Sequence, residues 1–375
     1  MTPELAFLLA IVLFWATLYV IGRLFRLDKH GLEIRPAYLT YKSRWLKELL
    51  GRVSKTGRIF WRALCNVGLV LAVGLMVFSV YFLINNLLRF VYPLGETTPV
   101  FLVLPGVTIR LHWLPYFFTA TAVVIVTHEL AHGVAALVEG VPVKSAGGFL
   151  FLVFFGGFVE PDRKRFEETS MLSKLRILSA GSSTNLVIGV LALLLLTSLY
   201  APASGIVIHE TTGEGPADRA GLQGWDVIYA MNGTIVFTVQ DFSEYMGSVK
   251  PGETLILSTS RGNILVNTER GSRNQSITGL LSFSNYYPSR LRLEPLTAIH
   301  LYMSLQWTLL IAWSVAVFNM LPMYPWDGEK FLYHALEGFV KNKRREARLL
   351  INAVFWSLIT ANMMLTFIKY GWVSI

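Results

Sequence analysis

Long apolar runs separated by short basic segments set the plan of this chain. The runs are Leu5 to Ile21, Ala63 to Tyr92, Pro115 to about Gly140, Leu175 to Tyr200, Leu296 to Phe318 and Leu349 to Phe367. Each reaches about 17 residues or more, the length an α-helix needs to cross a hydrocarbon core. They predict a polytopic α-helical membrane protein with about six transmembrane helices. Between the first two runs, Lys29 to Arg62 carries Arg35, Lys42, Arg44, Lys47, Arg52, Lys55 and Arg58 against only Glu33 and Glu48. The positive-inside rule makes that segment cytoplasmic and places the N-terminus outside. The first run has no basic segment ahead of it and reads as a retained anchor. Pro93 to Trp113, with Arg110 as its one basic residue, reads as an external loop. A second basic patch, Lys341, Lys343, Arg344, Arg345 and Arg348, precedes the last run, so the C-terminus is also expected outside.

Two stretches depart from the helical pattern. Val141 to Glu160 is apolar, rich in β-formers and interrupted at Gly147-Gly148 and Gly156-Gly157, which predicts a membrane-associated β-hairpin or re-entrant loop. Its free edge is a candidate for pairing with an extended peptide, and those four glycines are the expected substrate-binding positions. From Ala203 to about Tyr287 the composition becomes that of a soluble α+β domain. Strands are expected at Gly205–Ile208, Asp226–Met231, Thr254–Ser260 and Asn263–Thr268, with a turn at Asn232-Gly233 and a helix near Gln240–Gly247. The expected division is therefore 1–202 membrane part, 203–287 inserted extracytoplasmic domain, and 288–375 second membrane part.

Composition supports the membrane class: 53% hydrophobic, 15% charged, with mean hydropathy +0.50. The formal charge of +9 lies in clusters beside apolar runs, which excludes nucleic acid as its explanation. The single cysteine, Cys65, cannot form an internal disulfide or a thiolate metal site, so a metal would need histidine and carboxylate.

Those residue types occur in the third run as His128-Glu129-Leu130-Ala131-His132. Positions i and i+4 share a helix face, so both imidazoles can address one ion, and Glu129 can stand beside it as a base. Ionisable groups within a lipid-length helix mark a functional site or a wet cavity. His128 lies roughly 15 Å from the cytoplasmic end of its run, and Asn185 in the fourth run lies at about the same depth. A catalytic zinc site takes a third protein ligand. Asp327 is the best-placed carboxylate, after a segment broken by Pro322 and Pro325; it reads equally as a cap of the helix that follows.

Together these motifs resemble the site-2 protease family of intramembrane zinc metalloproteases. The resemblance rests on HExxH in the third run, the small-residue stretch Ala180 to Asn185 in the fourth, and Asn319-x-x-Pro322-x-x-x-x-Asp327-Gly328 after the fifth. Between them lies an insert that resembles a PDZ domain through Pro216, Ala217, Ala220, Gly221 and Leu222, with Gly224-Trp225-Asp226 where Gly-Asp is usual. The resemblance implies Zn²⁺ held by His128, His132 and Asp327, Glu129 as general base, and Asn185 as a hydrogen-bond donor near the scissile carbonyl. Gly181-Ser182 stands where family members often have Gly-Pro. It also implies a hydrolase that cuts within or near transmembrane segments of membrane proteins, with the PDZ-like domain screening substrates by peptide binding. The competing readings are a membrane metal transporter or receptor using the same ligands, and an inactive PDZ-bearing scaffold. Away from the motifs, His112 and His209 read as ordinary polar surface groups, and Asn85, Asn86 and Arg89 as side chains snorkelling to the outer interface.

Overall fold

Inside hydrocarbon a backbone must satisfy its own N–H and C=O groups, so apolar runs of this length fold as helices. The computed structural model describes residues 3–92, 95–104, 108–152, 154–272, 274–337 and 344–371. They fall into two compact units, Met1–Val190 with Thr308–Ile375, and Leu191–Trp307.

The first unit begins with helix α1 (Pro3–Leu24), strands β1 (Leu32–Arg35) and β2 (Tyr38–Lys42), the amphipathic helix α2 (Arg44–Lys55) and the long α3 (Arg58–Val91). Ser43 caps α2 by accepting the Leu46 N–H at 3.2 Å. Helix α4 (Leu114–Val138) follows, opened by Pro115, then strands β3 (Val143–Phe151) and β4 (Phe154–Pro161), the short α5 (Arg163–Glu168) and α6 (Met171–Leu199). The expected hairpin is present as β3 and β4, and it is half of a larger element. Strands β1 and β2 extend it into a four-stranded antiparallel sheet in the order β1-β2-β3-β4. Strands β1 (LEIR) and β2 (YLTYK) are only four and five residues long, too short to stand out within the basic segment. Strand β3 is paired on both sides, so Gly147 and Gly148 lie inside the sheet and only Gly156 and Gly157 lie on the outer strand. A Cβ at Gly147 would sit 1.8 Å from the Tyr41 carbonyl oxygen, which is why β2 can approach there.

The second unit starts from the end of α6 and continues through β5 (Ile206–Thr211), α7 (Pro216–Arg219), β6 (Val227–Met231), β7 (Thr234–Ile235), α8 (Val239–Ser248), β8 (Thr254–Thr259), β9 (Gly262–Asn267), β10 (Glu269–Arg270), β11 (Ser276–Ile277) and β12 (Leu280–Asn285). The main sheet runs β12-β5-β6-β8-β9, with β7 on β6. Asn232 and Gly233 take φ 47° and 82° and turn β6 back onto β7, as an Asn-Gly hairpin requires. Ile206, Ile208, Leu222, Ile228, Met231, Leu255 and Leu257 form its buried core. His209 is buried there with Nε2 2.8 Å from Ser284 Oγ, so it is not the surface group expected. Helix α9 (Pro295–Asn319) leads back to the first unit, where α10 (Asp327–Ala335) and α11 (Arg344–Tyr370) complete the chain. Lys341 and Lys343 of the expected basic patch lie outside the described residues.

Among the described residues, five helices are long and apolar enough to cross a membrane: 58–91, 111–138, 171–199, 295–319 and 345–370. The described apolar part of α1, Ile11–Leu24, is shorter. Small residues let the helices approach: a Cβ on Gly68 would lie 2.7 Å from Ser183 Oγ, and one on Gly189 would lie 2.0 Å from the Trp313 ring. Asn86 does not reach an interface. It is buried, its Nδ2 donating to Asn362 Oδ1 at 3.0 Å and to the Thr98 carbonyl at 2.9 Å. At the end of α4, the Glu139 carboxylate meets Arg62 and Arg176, each at 3.3 Å, and accepts the Ser173 hydroxyl at 2.6 Å. Burial works to raise its pKa, but Ser173 and the two guanidinium groups outweigh that and hold it below the usual range.

Candidate metal centre

Helix α4 carries His128 and His132 one turn apart, and their rings stand edge to face with centroids 4.7 Å apart. Their Nε2 atoms are 3.1 Å from each other. Both face Asp327 Oδ2, at 3.3 Å from His128 and 3.0 Å from His132. Asp327 is the first residue of α10, and the cap position belongs to Trp326 with no side-chain cap bond. Its carboxylate is thus turned to the histidines and not spent on capping. Ligand atoms about 2.1 Å from a tetrahedral zinc stand about 3.4 Å from one another, close to all three separations. His128, His132 and Asp327 therefore fit a zinc ion by atom type and by spacing, and they form the one group of this kind among the described residues.

The surrounding elements hold both imidazoles in place. Ile177 O on α6 lies 2.7 Å from His132 Nδ1, and Asn185, two turns further along α6, places Nδ2 2.9 Å from His128 Nδ1. Asn185, expected at about the depth of His128, thus meets its ring, and it is fully buried. Glu129 Oε2 accepts the Val159 N–H of β4 at 3.0 Å, and a Cβ on Gly157 would stand 3.3 Å from Glu129 Cγ. The sheet thus brings its outer strand against the expected base, with Gly157 admitting the close contact. Gly156 packs under the Phe149 ring, while Gly147 and Gly148 remain in the inner strand.

Three residues given no role from sequence are part of this centre. Asn319, the last residue of α9, donates from Nδ2 to Asp327 Oδ2 at 2.8 Å and stands 3.2 Å from His128 Nε2. It opens the Asn-x-x-Pro motif, and a polar residue ending an apolar helix eight positions before the carboxylate was the available signal. Gly181 is a second: a Cβ there would lie 2.4 Å from His128 Cε1 and 2.5 Å from His132 Nε2, so only glycine leaves room for both rings. Gly328 is the third, since a Cβ there would lie 2.3 Å from the Met320 carbonyl oxygen and would push Asp327 out of place. Asp327 Oδ1 is 3.6 Å from Lys330 Nζ.

Residues 116–361 match the model of a family described as Peptidase family M50. Over 218 residues the chain is 29% identical to an uncharacterised protein of Methanocaldococcus jannaschii, covering 58% of this chain and 55% of that one. Over 109 residues it is 31% identical to an Arabidopsis thaliana protein described as a membrane-bound transcription factor site-2 protease homolog, covering 28% of this chain and 21% of the relative. The chain thus spans about half and about a fifth of the lengths of these curated relatives. Two solved PDZ domains of SdrC-like proteins, from Listeria monocytogenes and Listeria innocua, are each 19% identical to it. They cover 21% and 24% of this chain and 88% and 97% of their own, with TM-scores of 0.20 and 0.19.

Proposed function

The chain belongs to peptidase family M50, and from that membership we propose that it is a zinc metalloprotease that hydrolyses peptide bonds within or near transmembrane segments of other membrane proteins. The observation that carries the proposal is the convergence of His128 Nε2, His132 Nε2 and Asp327 Oδ2 within 3.3 Å of one another, next to Glu129 on a membrane-length helix. Zinc in such a site lowers the pKa of a bound water to about 7 and polarises a carbonyl.

The remaining chemistry belongs to the chain. Glu129 takes a proton from the attacking water and returns it to the departing amine nitrogen, while the water oxygen bonds to the carbonyl carbon and the C–N bond breaks. The Val159 N–H holds one Glu129 oxygen, so the base is aimed before substrate arrives. Asn319 holds Asp327 in the same way. A helical substrate hides its peptide bonds and must open locally, and the outer edge of β4 beside Glu129 is where an opened strand finds backbone partners. Gly156 and Gly157 lie on that edge, whereas Gly147 and Gly148 act through the sheet behind it. Water reaches the site from the cytoplasmic end of α4, with the N- and C-termini and residues 203–287 on the opposite side of the bilayer. That inserted domain has the PDZ-like role of screening substrates through an extended peptide.

The test is cleavage of a transmembrane peptide by purified chain with Glu129→Gln as the comparison. The expected result is retained zinc with cleavage lowered by about 10²- to 10⁴-fold. Undiminished cleavage by the variant would remove Glu129 from the mechanism.

A further inference from the structure

Both histidines of the centre have their Nδ1 atoms held by α6, from positions 177 and 185, which share one helix face. At His132 the partner is a backbone carbonyl, which only accepts, so Nδ1 carries the proton and the Nε2 lone pair points toward Asp327 and the other ring. At His128 the partner is the Asn185 amide, whose two ends have the same shape. With Nδ2 turned to Nδ1, as placed, His128 would have to carry its proton on Nε2 and could not ligate a metal there. The same placement leaves Asn185 Oδ1 buried with no hydrogen-bond partner. Rotating the amide by half a turn leaves its shape unchanged and puts Oδ1 against an Nδ1–H.

We infer that Asn185 is a positioning residue whose amide oxygen accepts the Nδ1 proton of His128, fixing the ring in the tautomer that ligates metal. This rests on the zinc reading above and gives Asn185 a task different from the one the family resemblance implies. It acts through His128, and it is the side-chain counterpart of the Ile177 carbonyl on His132. Outer partners of this kind are worth about 10- to 100-fold in metal affinity.

The experiment uses the purified full chain, with zinc affinity measured by chelator competition and cleavage measured at saturating zinc. Asn185→Asp keeps an acceptor and has no donor; Asn185→Leu has neither. The inference expects Asn185→Leu to bind zinc about 10- to 100-fold more weakly, with much of its cleavage restored by excess zinc. Asn185→Asp is expected to bind zinc at least as tightly as wild type and to keep cleaving. Wild-type zinc affinity in both variants, with cleavage lost in both, would overturn the inference, because that is the pattern of a donor to the substrate carbonyl. If Asn185→Leu does not fold, Asn185→Asp decides alone: cleavage retained at saturating zinc supports the assignment, and cleavage lost there overturns it. A wild-type chain that binds no zinc overturns the underlying metal reading and is recognised by failing before any substitution is made.

Discussion

The two units differ in what they turn outward and in how many polar groups they bury between elements. In the sheet unit, Ile206, Ile208, Ile228, Leu255 and Leu257 are inside, as in a water-soluble domain. In the membrane unit, Val67, Val70 and Val77 face outward, while Ser79, Asn86, Ser182, Ser183, Asn185, Asn362 and Thr366 are buried beside apolar side chains such as Leu83, Leu321 and Met323. Water drives the first arrangement by expelling apolar surface. Lipid gives no such drive between helices, so close packing at Gly68 and Gly189 and hydrogen bonds such as Asn86 to Asn362 hold the second together. The same burial of polar groups between helices makes a metal centre possible, since it places imidazole, amide and carboxylate groups side by side away from bulk water.

The contrast can be broken or sharpened by substitution. Glu139→Leu adds apolar surface at the end of α4, and it should nevertheless destabilise the membrane unit by about 3–5 kcal/mol, because Arg176, only 13% exposed, loses its carboxylate and keeps only Asn66. Thermal unfolding in detergent measures this, and a neutral result would weaken the case that buried polar pairs organise that unit. Leu257→Ala removes packing from a fully buried site and should cost the sheet unit about 2–5 kcal/mol, with zinc content unchanged. Gly181→Ala changes one methyl group but drives it into both imidazoles; zinc affinity should fall about 100-fold while the chain still folds. The smallest effect concerns His334 on α10. Burial, the largest influence on it, lowers its pKa below the ordinary 6.5, so the unfolded chain binds the proton more readily than the folded one. Its contribution to stability is complete above about pH 6.5 and is lost as pH falls from there toward the folded value. His334→Gln should therefore flatten the decline of the melting temperature between about pH 7 and pH 5.

Much of the helical plan was readable because each span declares itself by length and apolarity. The insert was readable for another reason: period-two alternation and the Asn232-Gly233 turn are local signals. Strands β1 and β2 escaped, because they are four and five residues long and the partner that joins them to the hairpin, β3 on β2, lies about a hundred residues downstream. At the site, HExxH nominated His128 and His132 by spacing alone. Asp327 stayed balanced between ligand and cap until the structure gave the cap position to Trp326. Asn319 and Gly181 could be assigned tasks only from their distances to the imidazoles, since nothing local distinguishes a spacing glycine from a structural one. Asn86 looked like an interfacial residue because its partner, Asn362, is on a helix far along the chain.

The central claim is that one zinc ion is held by two histidines of α4 and the first carboxylate of α10. Metal analysis of the purified wild-type chain beside Asp327→Ala, with cleavage of a transmembrane peptide read in the same samples, tests it most directly. The account predicts about one zinc per wild-type chain and loss of both zinc and cleavage in the variant. An Asp327→Ala chain that keeps its zinc and its cleavage would contradict it.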